Sequence, residues 1–312
     1  MSGFLVTWLA NVPQLAVPYA LAALGLIISE RAGVLNLTAE GLMLVGALAS
    51  VGTLLTFEVH PLVAMVVGMI AAGLVSLVFA FLVITLRVNQ VIAGLVMVFF
   101  CQGLTSLLGN LCGWTSKAFT GLAPLPLGPL ADLPVLGPIL FRQDLVAYLV
   151  IPIFLGVAYM LSRSRFGLRL RAVGENPEAA DAMGIPISAT RFLAVAGGGL
   201  LVGLAGAYIA IASVKIWVDD MTAGRGWIAI ALVIFARWNP WRALIGALLF
   251  GGIQAVIPKL AAAGIMLPQY LVMTTPYLVT LAVMIWGSVR HLHRPSDEPG
   301  ALGQPYVREE RR

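Results

Sequence analysis

The chain has 312 residues, of which 60% are hydrophobic and 11% are charged, with a mean hydropathy of +0.96. A soluble domain carries about 25% charged residues, and a globule of this length has too little interior for so much apolar surface. The composition excludes a soluble enzyme, a disordered chain and a nucleic-acid-binding domain, and it requires a lipid bilayer as solvent. Cytoplasmic loops of membrane proteins collect basic residues, so the net charge of +5 indicates no nucleic-acid partner.

Nine stretches are candidates for membrane-spanning helices, each of which needs about 20 mostly apolar residues. They are residues 8–29, 38–57, 62–86, 91–109, 144–162, 192–212, 226–237, 243–258 and 269–287, of which the seventh and eighth are short. The stretches do not alternate apolar and polar residues, as strands of a membrane barrel would. No Lys or Arg precedes the first stretch, which is therefore interpreted as a retained span and not as a signal peptide. The sequence predicts an all-α, polytopic membrane helical bundle.

The basic residues predict its orientation. The loop 163–191 holds five arginines, which places it in the cytoplasm. Alternating outward from it puts 14 of the 19 Lys and Arg residues on the cytoplasmic side, with the N-terminus outside and the C-terminus inside. Residues 1–290 are predicted to form the membrane domain and residues 291–312 a polar cytoplasmic tail, disordered from residue 295 onward. The proline- and glycine-rich loop 110–143 then lies outside, either facing a partner or as a passive connector.

A short internal similarity suggests a repeat. Residues 38–41 (TAEG) precede an apolar helix and His60-Pro61, and residues 222–226 (TAGRG) precede another helix and Asn239-Pro240. One copy starts from the cytoplasmic side and the other from outside, as in the inverted repeats of transport proteins. The match is short and the spacings differ, so a chance similarity is an equal alternative.

Catalytic signatures are missing from the sequence. It contains no GxxxxGK[ST] phosphate loop, no HExxH, no GxSxG and no acidic metal cluster, and its two cysteines, Cys101 and Cys112, are interpreted as inert thiols. The chain is therefore expected to be no enzyme and to bind no metal or cofactor. Energy for any uphill transport would come from another subunit or from an ion gradient.

The polar residues of the spans are mostly neutral: Asn89, Gln90, Gln102, Thr105, Ser106 and Gln254. Ion-coupled carriers keep ionisable groups deep in their spans, whereas here Glu40 is the only acidic residue near a span interior. Neutral amides suit an uncharged, hydroxylated solute, although they could equally join helices by hydrogen bonds. The glycine run between residues 197 and 206 is interpreted as a helix-packing surface.

The segment 165–185 (RFGLRLRAVGENPEAADAMGI) contains a predicted short helix. Asn176 can cap it, Pro177 suits its first position, Glu178 lies where the helix dipole favours negative charge, and Gly184 ends it. Three small residues would let the helix fit a groove: Ala179, Ala180 and Ala182. Such a helix either docks on a partner or lies on the membrane surface, anchored by the neighbouring arginines.

This segment resembles the cytoplasmic coupling segment in the permease subunits of ATP-binding-cassette (ABC) importers for simple sugars and nucleosides, the superfamily of ribose-type and branched-chain-amino-acid-type permeases. Two further segments, ISERAGVLNLTAEGLMLVGA at 28–47 and MTAGRGWIAIALVIFARWNP at 221–240, resemble its nucleoside-type branch, which works with a basic-membrane-lipoprotein-type binding protein. The resemblance covers about residues 12–290.

The resemblance implies a heterodimer of two related permeases in the inner or plasma membrane of a prokaryote. It also implies a cytoplasmic ABC ATPase, which uses the ATP, and an extracytoplasmic substrate-binding lipoprotein. The candidate ATPase-coupling residues are Arg171, Glu175, Asn176, Pro177, Glu178, Ala179, Ala180 and Gly184. The candidate pathway residues, inferred from position and not from the family, are Asn36, Glu40, Asn89, Gln90, Asp219, Thr222 and Arg225. An ion-coupled secondary carrier of a small neutral solute is the alternative.

Overall fold

The computed structural model describes residues 2–262, the single positions 274, 278, 281, 282 and 285, and residues 297–306. Ten α-helices follow one another along this part of the chain. They are α1 (Ser2–Arg31), α2 (Ala39–Phe57), α3 (Pro61–Ala80), α4 (Gln90–Leu111), α5 (Leu145–Arg163), α6 (Arg165–Glu175), α7 (Pro177–Ala182), α8 (Ile187–Tyr208), α9 (Arg225–Ala236) and α10 (Pro240–Ala262). A π-helical turn extends α3 over Phe81–Thr85, and another extends α8 over Ile209–Val214.

The predicted all-α membrane bundle is confirmed. Within the described residues, six segments are long and apolar enough to cross a bilayer: Leu5–Arg31, Ala39–Phe57, Pro61–Thr85, Gln90–Leu111, Leu145–Arg163 and Ile187–Val214. Two shorter apolar helices, Arg225–Ala236 and Pro240–Val256, correspond to the seventh and eighth predicted spans. The ninth, residues 269–287, lies outside the described residues except for five helical positions.

Glycines allow the central helices α1, α2, α3 and α8 to pack backbone against backbone. A Cβ added to Gly206 of α8 would lie 1.8 Å from the carbonyl oxygen of Met43 in α2. A Cβ added to Gly46 would lie 2.2 Å from the carbonyl oxygen of Gly203. Without glycine these helices could not approach so closely, so the glycine run of α8 is a packing surface as predicted.

The helices α4 and α5 lie at the periphery of the described bundle and expose large apolar side chains. Phe99 and Phe100 of α4 are 66% and 58% exposed, and Tyr159 of α5 is 67% exposed. A polar contact holds the start of α5: the Asp144 carboxylate caps this helix and also accepts a hydrogen bond from the Tyr208 hydroxyl of α8. Such apolar faces are suited to lipid or to another membrane subunit.

Loops predicted to lie on one side of the membrane meet at one end of the bundle. At the arginine-rich end, the guanidinium of Arg31 donates from Nε to the carbonyl oxygen of Trp238 over 3.3 Å. At the opposite end, the amide of Ser116 donates to the carbonyl oxygen of Trp217 over 2.8 Å. The connections therefore fall into two groups, as the charge distribution predicts.

The disorder expected from residue 295 is wrong for residues 297–306. The Ala301 N–H donates to the Gly174 carbonyl over 2.8 Å, and the Gly303 N–H donates to the Gly33 carbonyl over 3.3 Å. Ala301 is only 4% exposed. The polar composition was misleading because this segment is held through backbone groups and a few small apolar side chains.

We expect Gly206→Ala to lower the free energy of unfolding by about 1–3 kcal/mol, because the added methyl overlaps the Met43 carbonyl and forces α8 away from α2. Thermal unfolding of the purified protein in detergent would measure the loss. Gly197→Ala on the same helix is the control, since no atom lies within 4 Å of its added Cβ. Equal stabilities of the two variants would contradict the packing role of Gly206.

Candidate functional site

The link between α1 and α2, residues 32–38, rises along the side of α4. The Leu35 N–H donates to Oε1 of Gln90, the first residue of α4, over 2.7 Å. A Cβ added to Gly41 would lie 2.9 Å from the Cβ of Cys101 and 3.0 Å from the Cα of Val98. A helix rises 1.5 Å per residue, so Gly41 lies roughly 12–16 Å along α4. The helix α2 therefore begins about midway through the bundle.

The helix α9 also begins at this depth, from the opposite direction. It has 12 residues, so it is about 18 Å long, roughly half of a full span. Its last turn leads to Trp238 at the arginine-rich end, where the indole Nε1 donates to the Glu30 carboxylate over 2.6 Å. Its first residue, Arg225, consequently lies deep in the bundle.

The Glu40 side chain joins the two helix starts. Its Oε1 accepts hydrogen bonds from the Thr222 hydroxyl at 2.6 Å and the Gly224 N–H at 2.8 Å, and its Oε2 accepts from the Gly226 N–H at 2.6 Å. Glu40 belongs to the first turn of α2 and caps the first turn of α9, and both helix N-termini favour a negative group. One carboxylate, 5% exposed, thus compensates two helix ends at mid-depth.

Asn36 holds the link in place. Its Oδ1 accepts from the Thr38 N–H at 3.1 Å and the Thr38 hydroxyl at 2.6 Å, while its Nδ2 donates to the Ser29 hydroxyl of α1 at 3.3 Å. Asn36 is fully buried, and Gln90 supplies the other attachment, through Leu35. We call the contact of residues 36–40 with residues 222–226 the mid-depth junction.

The structure brings some of the predicted pathway residues together and separates others. Asn36, Glu40 and Thr222 form the mid-depth junction, and Gln90 anchors the link that leads to it.

The other three predicted pathway residues have different surroundings. Asn89 is exposed and caps α4 by accepting the N–H groups of Val91 and Ile92. The carboxylate of Asp219 accepts from Asn110 at the outer end of α4 over 3.3 Å, and Arg225 donates to carbonyls of its own turn.

A further candidate surface lies on α4 and was not assigned from the sequence. Gln102 and Ser106 are partly exposed and Asn110 is exposed on one side of a helix that otherwise exposes Val96 and Phe99. Their spacing of four residues places them on one helical face, which is the signal that could have identified them. Polar groups facing hydrocarbon are costly, so this polar face of α4 indicates contact with protein or water.

The predicted short helix in the loop 163–191 is confirmed as α7. Asn176 Oδ1 accepts the Ala179 N–H over 2.9 Å, Pro177 is the first helical residue, and Gly184 follows the helix with φ +76°. The sequence analysis missed the preceding helix α6, whose start is capped by the Ser164 hydroxyl over 3.0 Å. The available signal was a serine before a segment whose small and apolar residues Gly167, Leu170, Val173 and Gly174 have the spacing of one helical face.

The helix α7 has an inner and an outer face. Ala180 is 3% exposed and packs with Val173 and Ile187, so it attaches α7 to α6 and α8 and is not free to enter a groove. Met183 is 82% exposed, and Glu178 and Ala179 are also exposed. These outward side chains form the surface that we call the candidate docking face of α7.

The helix α6 connects this docking face to α1. A Cβ added to Gly174 would lie 2.1 Å from the carbonyl oxygen of Arg31, which means that the two backbones touch. Next to it, Glu175 Oε2 accepts the N–H of Gly300 over 3.3 Å, and Arg171 is half-buried. The candidate coupling residues therefore continue directly into the last turn of α1 and the link 32–38.

The family described as the permease component of the branched-chain amino acid transport system matches residues 8–286, and the chain belongs to this family. It is 41% identical to the putative glucose ABC transporter permease of Haloferax volcanii, over 95% of this chain and 96% of that protein. It is 34% identical to the guanosine ABC transporter permease of Bacillus subtilis, over 95% of each chain. It is 32% identical to the nucleoside ABC transporter permease of Lactococcus lactis subsp. cremoris, over 88% of this chain and 90% of that protein.

The chain is therefore a non-catalytic, multi-pass membrane subunit of an ABC transporter, as the three sequence motifs indicated. A permease of this family works with a separate ATPase. ATP hydrolysis by that subunit, and not an ion gradient, is consequently the energy source that family membership supports.

We expect Glu40→Gln to lower the free energy of unfolding by about 1.5–3 kcal/mol, because an amide nitrogen cannot accept the hydrogen bonds that a carboxylate oxygen receives here. Detergent-based thermal unfolding would measure it. Glu58→Gln is the control, since Glu58 is exposed just after α2. A Glu40→Gln variant as stable as Glu58→Gln would show that the carboxylate does not hold the two helix starts together.

Proposed function

We propose that the chain forms half of the translocation pathway of an importer for an uncharged, hydroxylated solute, a nucleoside or purine, or a simple sugar. The mid-depth junction carries this proposal. Helix N-termini at the centre of a transporter commonly bind an anionic substrate group, but here Glu40 already compensates both. The two helix ends themselves therefore offer little attraction for an anion. Relatives named for glucose, guanosine and nucleosides support the same solute class.

The polar face of α4 is the surface that we assign to the solute. Gln102, Ser106 and Asn110 supply amide and hydroxyl groups that can both donate and accept hydrogen bonds, as sugar and nucleoside hydroxyls require. The adjoining side of α4 packs on α2 at Gly41, one residue beyond Glu40. A movement at the mid-depth junction would therefore also move the polar face. The remaining predicted residues Asn89 and Asp219 lie at the two ends of α4.

The assembly that we propose has three further proteins. A second, homologous permease covers the polar face of α4, forming a heterodimer in which the solute passes between the subunits. A substrate-binding lipoprotein docks at the end that includes loop 110–143. The ABC ATPase docks on α7, within the coupling loop 163–191, and uses the ATP, so this chain itself needs no cofactor.

We further propose nine spans with the N-terminus outside and the C-terminus inside, in the cell membrane of a prokaryote. Residues 1–290 form the membrane domain and residues 291–312 the cytoplasmic tail. The grouping of Arg31, Arg191 and Arg237 at one end supports this orientation, because basic residues concentrate on the cytoplasmic side. The starts of α2 and α9 at mid-depth, from opposite directions, support an inverted repeat.

Coupling follows from the backbone contacts. A displacement of α7 by the ATPase is carried by α6 to Gly174, which touches the Arg31 carbonyl. From Arg31 the link 32–38 leads directly to Glu40. Because closely packed elements move as rigid bodies, a shift at the ATPase would rotate the mid-depth junction and switch the pathway between outward- and inward-facing states.

Reconstitution tests the function. Proteoliposomes containing this chain, its partner permease and the ATPase, supplied with the binding protein, should take up radiolabelled guanosine or glucose only with ATP. Glu178→Arg and Gly184→Trp should reduce uptake by about tenfold or more, the scale of a coupling free energy of 1–3 kcal/mol, because they change the docking surface at α7.

Glu58→Arg is the control, since it reverses the same type of charge at an exposed site at the far end of α2. Normal uptake and full ATPase stimulation in the α7 variants would refute the docking role. Gradient-driven uptake by this chain alone would instead favour the ion-coupled carrier.

Cysteine labelling tests the orientation. Cys112 is exposed just after α4, whereas Cys101 is buried and should not react. A membrane-impermeant maleimide should label Cys112 in right-side-out vesicles. A Met183→Cys variant that also carries Cys112→Ser should be labelled only in inside-out vesicles, because Met183 projects from α7. The reverse pattern would require the opposite orientation.

A further inference from the structure

Residues 297–306, which we call the C-terminal strap, cross the arginine-rich end of the bundle. At the start of the strap, the Asp297 carboxylate lies 3.0 Å from Nε of Arg237 and 3.7 Å from Nη1 of Arg242, at the turn between α9 and α10. At its end, Tyr306 packs against the small apolar cluster between α6, α7 and α8. The strap thus runs from α9 and α10 to the base of the docking face.

Between these ends the strap touches two other segments at a single point. Ala301 donates its N–H to the Gly174 carbonyl of α6 at 2.8 Å, and Gly303 donates to the Gly33 carbonyl at 3.3 Å. Gly33 has φ +81°, and a Cβ added there would lie 3.2 Å from the Ala301 oxygen and 3.4 Å from the Gly174 Cα. Three backbones therefore meet at Gly33, and the guanidinium of Arg191 lies beside them, with Nη2 3.0 Å from the added Cβ.

A buried arginine depends on the strap. Arg191 of α8 is 2% exposed, and its Nε donates to the Ala32 carbonyl at 3.2 Å while its Nη1 donates to the Gln304 carbonyl at 3.3 Å. Burying a guanidinium is costly unless acceptors compensate it. The link 32–38 supplies one acceptor, at Ala32, and the strap supplies the other, so detaching the strap removes one of the two hydrogen bonds that the described residues give this guanidinium.

Surface ion pairs do not hold the strap. The Asp297 side chain is 47% exposed, and ion pairs of that kind contribute little to stability. Its attachment comes instead from buried Ala301, from the backbone hydrogen bonds and from the Arg191 contact. A test must therefore disturb Ala301 and not Asp297.

We propose that the C-terminal strap is a positioning element for coupling: residues 297–306 clamp α6 to the link 32–38, so that a displacement of α7 reaches Glu40. This rests on the proposed function, in which the ATPase docks on α7. Without the strap, α6 would keep its contact with α1 at Gly174 but lose the hydrogen bonds through which Ala301 and Gly303 tie Gly174 to Gly33, so it could slip relative to the link. The ATPase would still bind and hydrolyse ATP, but fewer hydrolysis events would move solute.

Two variants of the full transporter in proteoliposomes test the strap: truncation after residue 296 and Ala301→Glu, which places a carboxylate in the buried contact with Gly33. Both should lower the number of solute molecules imported per ATP by about five- to 150-fold, the usual range of coupling between linked sites. The amount of ATPase that copurifies with the complex should stay unchanged. Amide hydrogen exchange of residues 31–36 should become faster.

The matched controls change the same region without touching the contact. Truncation after residue 306 keeps the whole strap, and Asp297→Asn removes only the exposed ion pairs with Arg237 and Arg242. Both controls should import as many solute molecules per ATP hydrolysed as the wild type does. The probe is labelled guanosine or glucose, whichever the wild-type complex imports.

The outcomes separate the two proposals. If both strap variants import as many solute molecules per ATP as the wild type, the coupling role of the strap is overturned. A lower melting temperature with an unchanged number of solute molecules per ATP overturns it as well, because the strap would then be a purely structural contact. Absence of any ATP-dependent import by the wild type overturns the proposed function itself. Fewer solute molecules imported per ATP in the two strap variants, with wild-type values in the controls, supports the coupling role of the strap.

Discussion

The hydrogen bonds received by the Glu40 carboxylate are the constraint on which the rest of the structure depends. Two helices begin in the middle of the bundle, where free N–H groups would find no water. The Glu40 carboxylate accepts N–H groups at the start of α9, and its negative charge lies in the first turn of α2, where the helix dipole favours it. The chain can therefore run through the bundle in a non-helical form, over residues 32–38, while Asn36 and Thr38 bury and pair their polar groups. The mid-depth junction, where α2 and α9 begin, is therefore stable, and it lies at the depth where a transporter needs a point that can move.

Backbone contact is the means by which this point is connected to the ATPase side. Gly174 against Arg31, Gly206 against Met43 and Gly46 against Gly203 bring main chains together without intervening side chains. Such contacts have little freedom to adjust, so a displacement at one helix is passed to the next and is not absorbed by rotamer changes. Rigid packing and a neutral centre together describe a subunit that does no chemistry and converts a partner's motion into access for an uncharged solute.

Much of the fold was predictable, because a bilayer imposes simple length and polarity rules. Eight of the nine predicted spans coincide with helices, and the cap formed by Asn176 lies as predicted. The errors have local physical causes. Residues 297–306 are polar in composition but are held by main-chain hydrogen bonds, which composition does not report. The helix α6 was missed because it is short and charged. The inward position of Ala180 was missed because its neighbours Val173 and Ile187 decide which face of α7 is covered.

The sequence by itself determined the solvent of this protein, the number of apolar helices within the described part, the family and the neutral character of its polar residues, since each depends on residue type and spacing along the chain. Only the tertiary structure decided that Glu40 meets Thr222, Gly224 and Gly226, that Asp219 lies beside Asn110 at the end of α4, and that the C-terminal residues reach Gly33. Glu40 and Gly226 are separated by 186 positions, and no local pattern reports a contact at such a distance along the chain. It exists because glycines let the helices approach until one carboxylate can reach both helix starts.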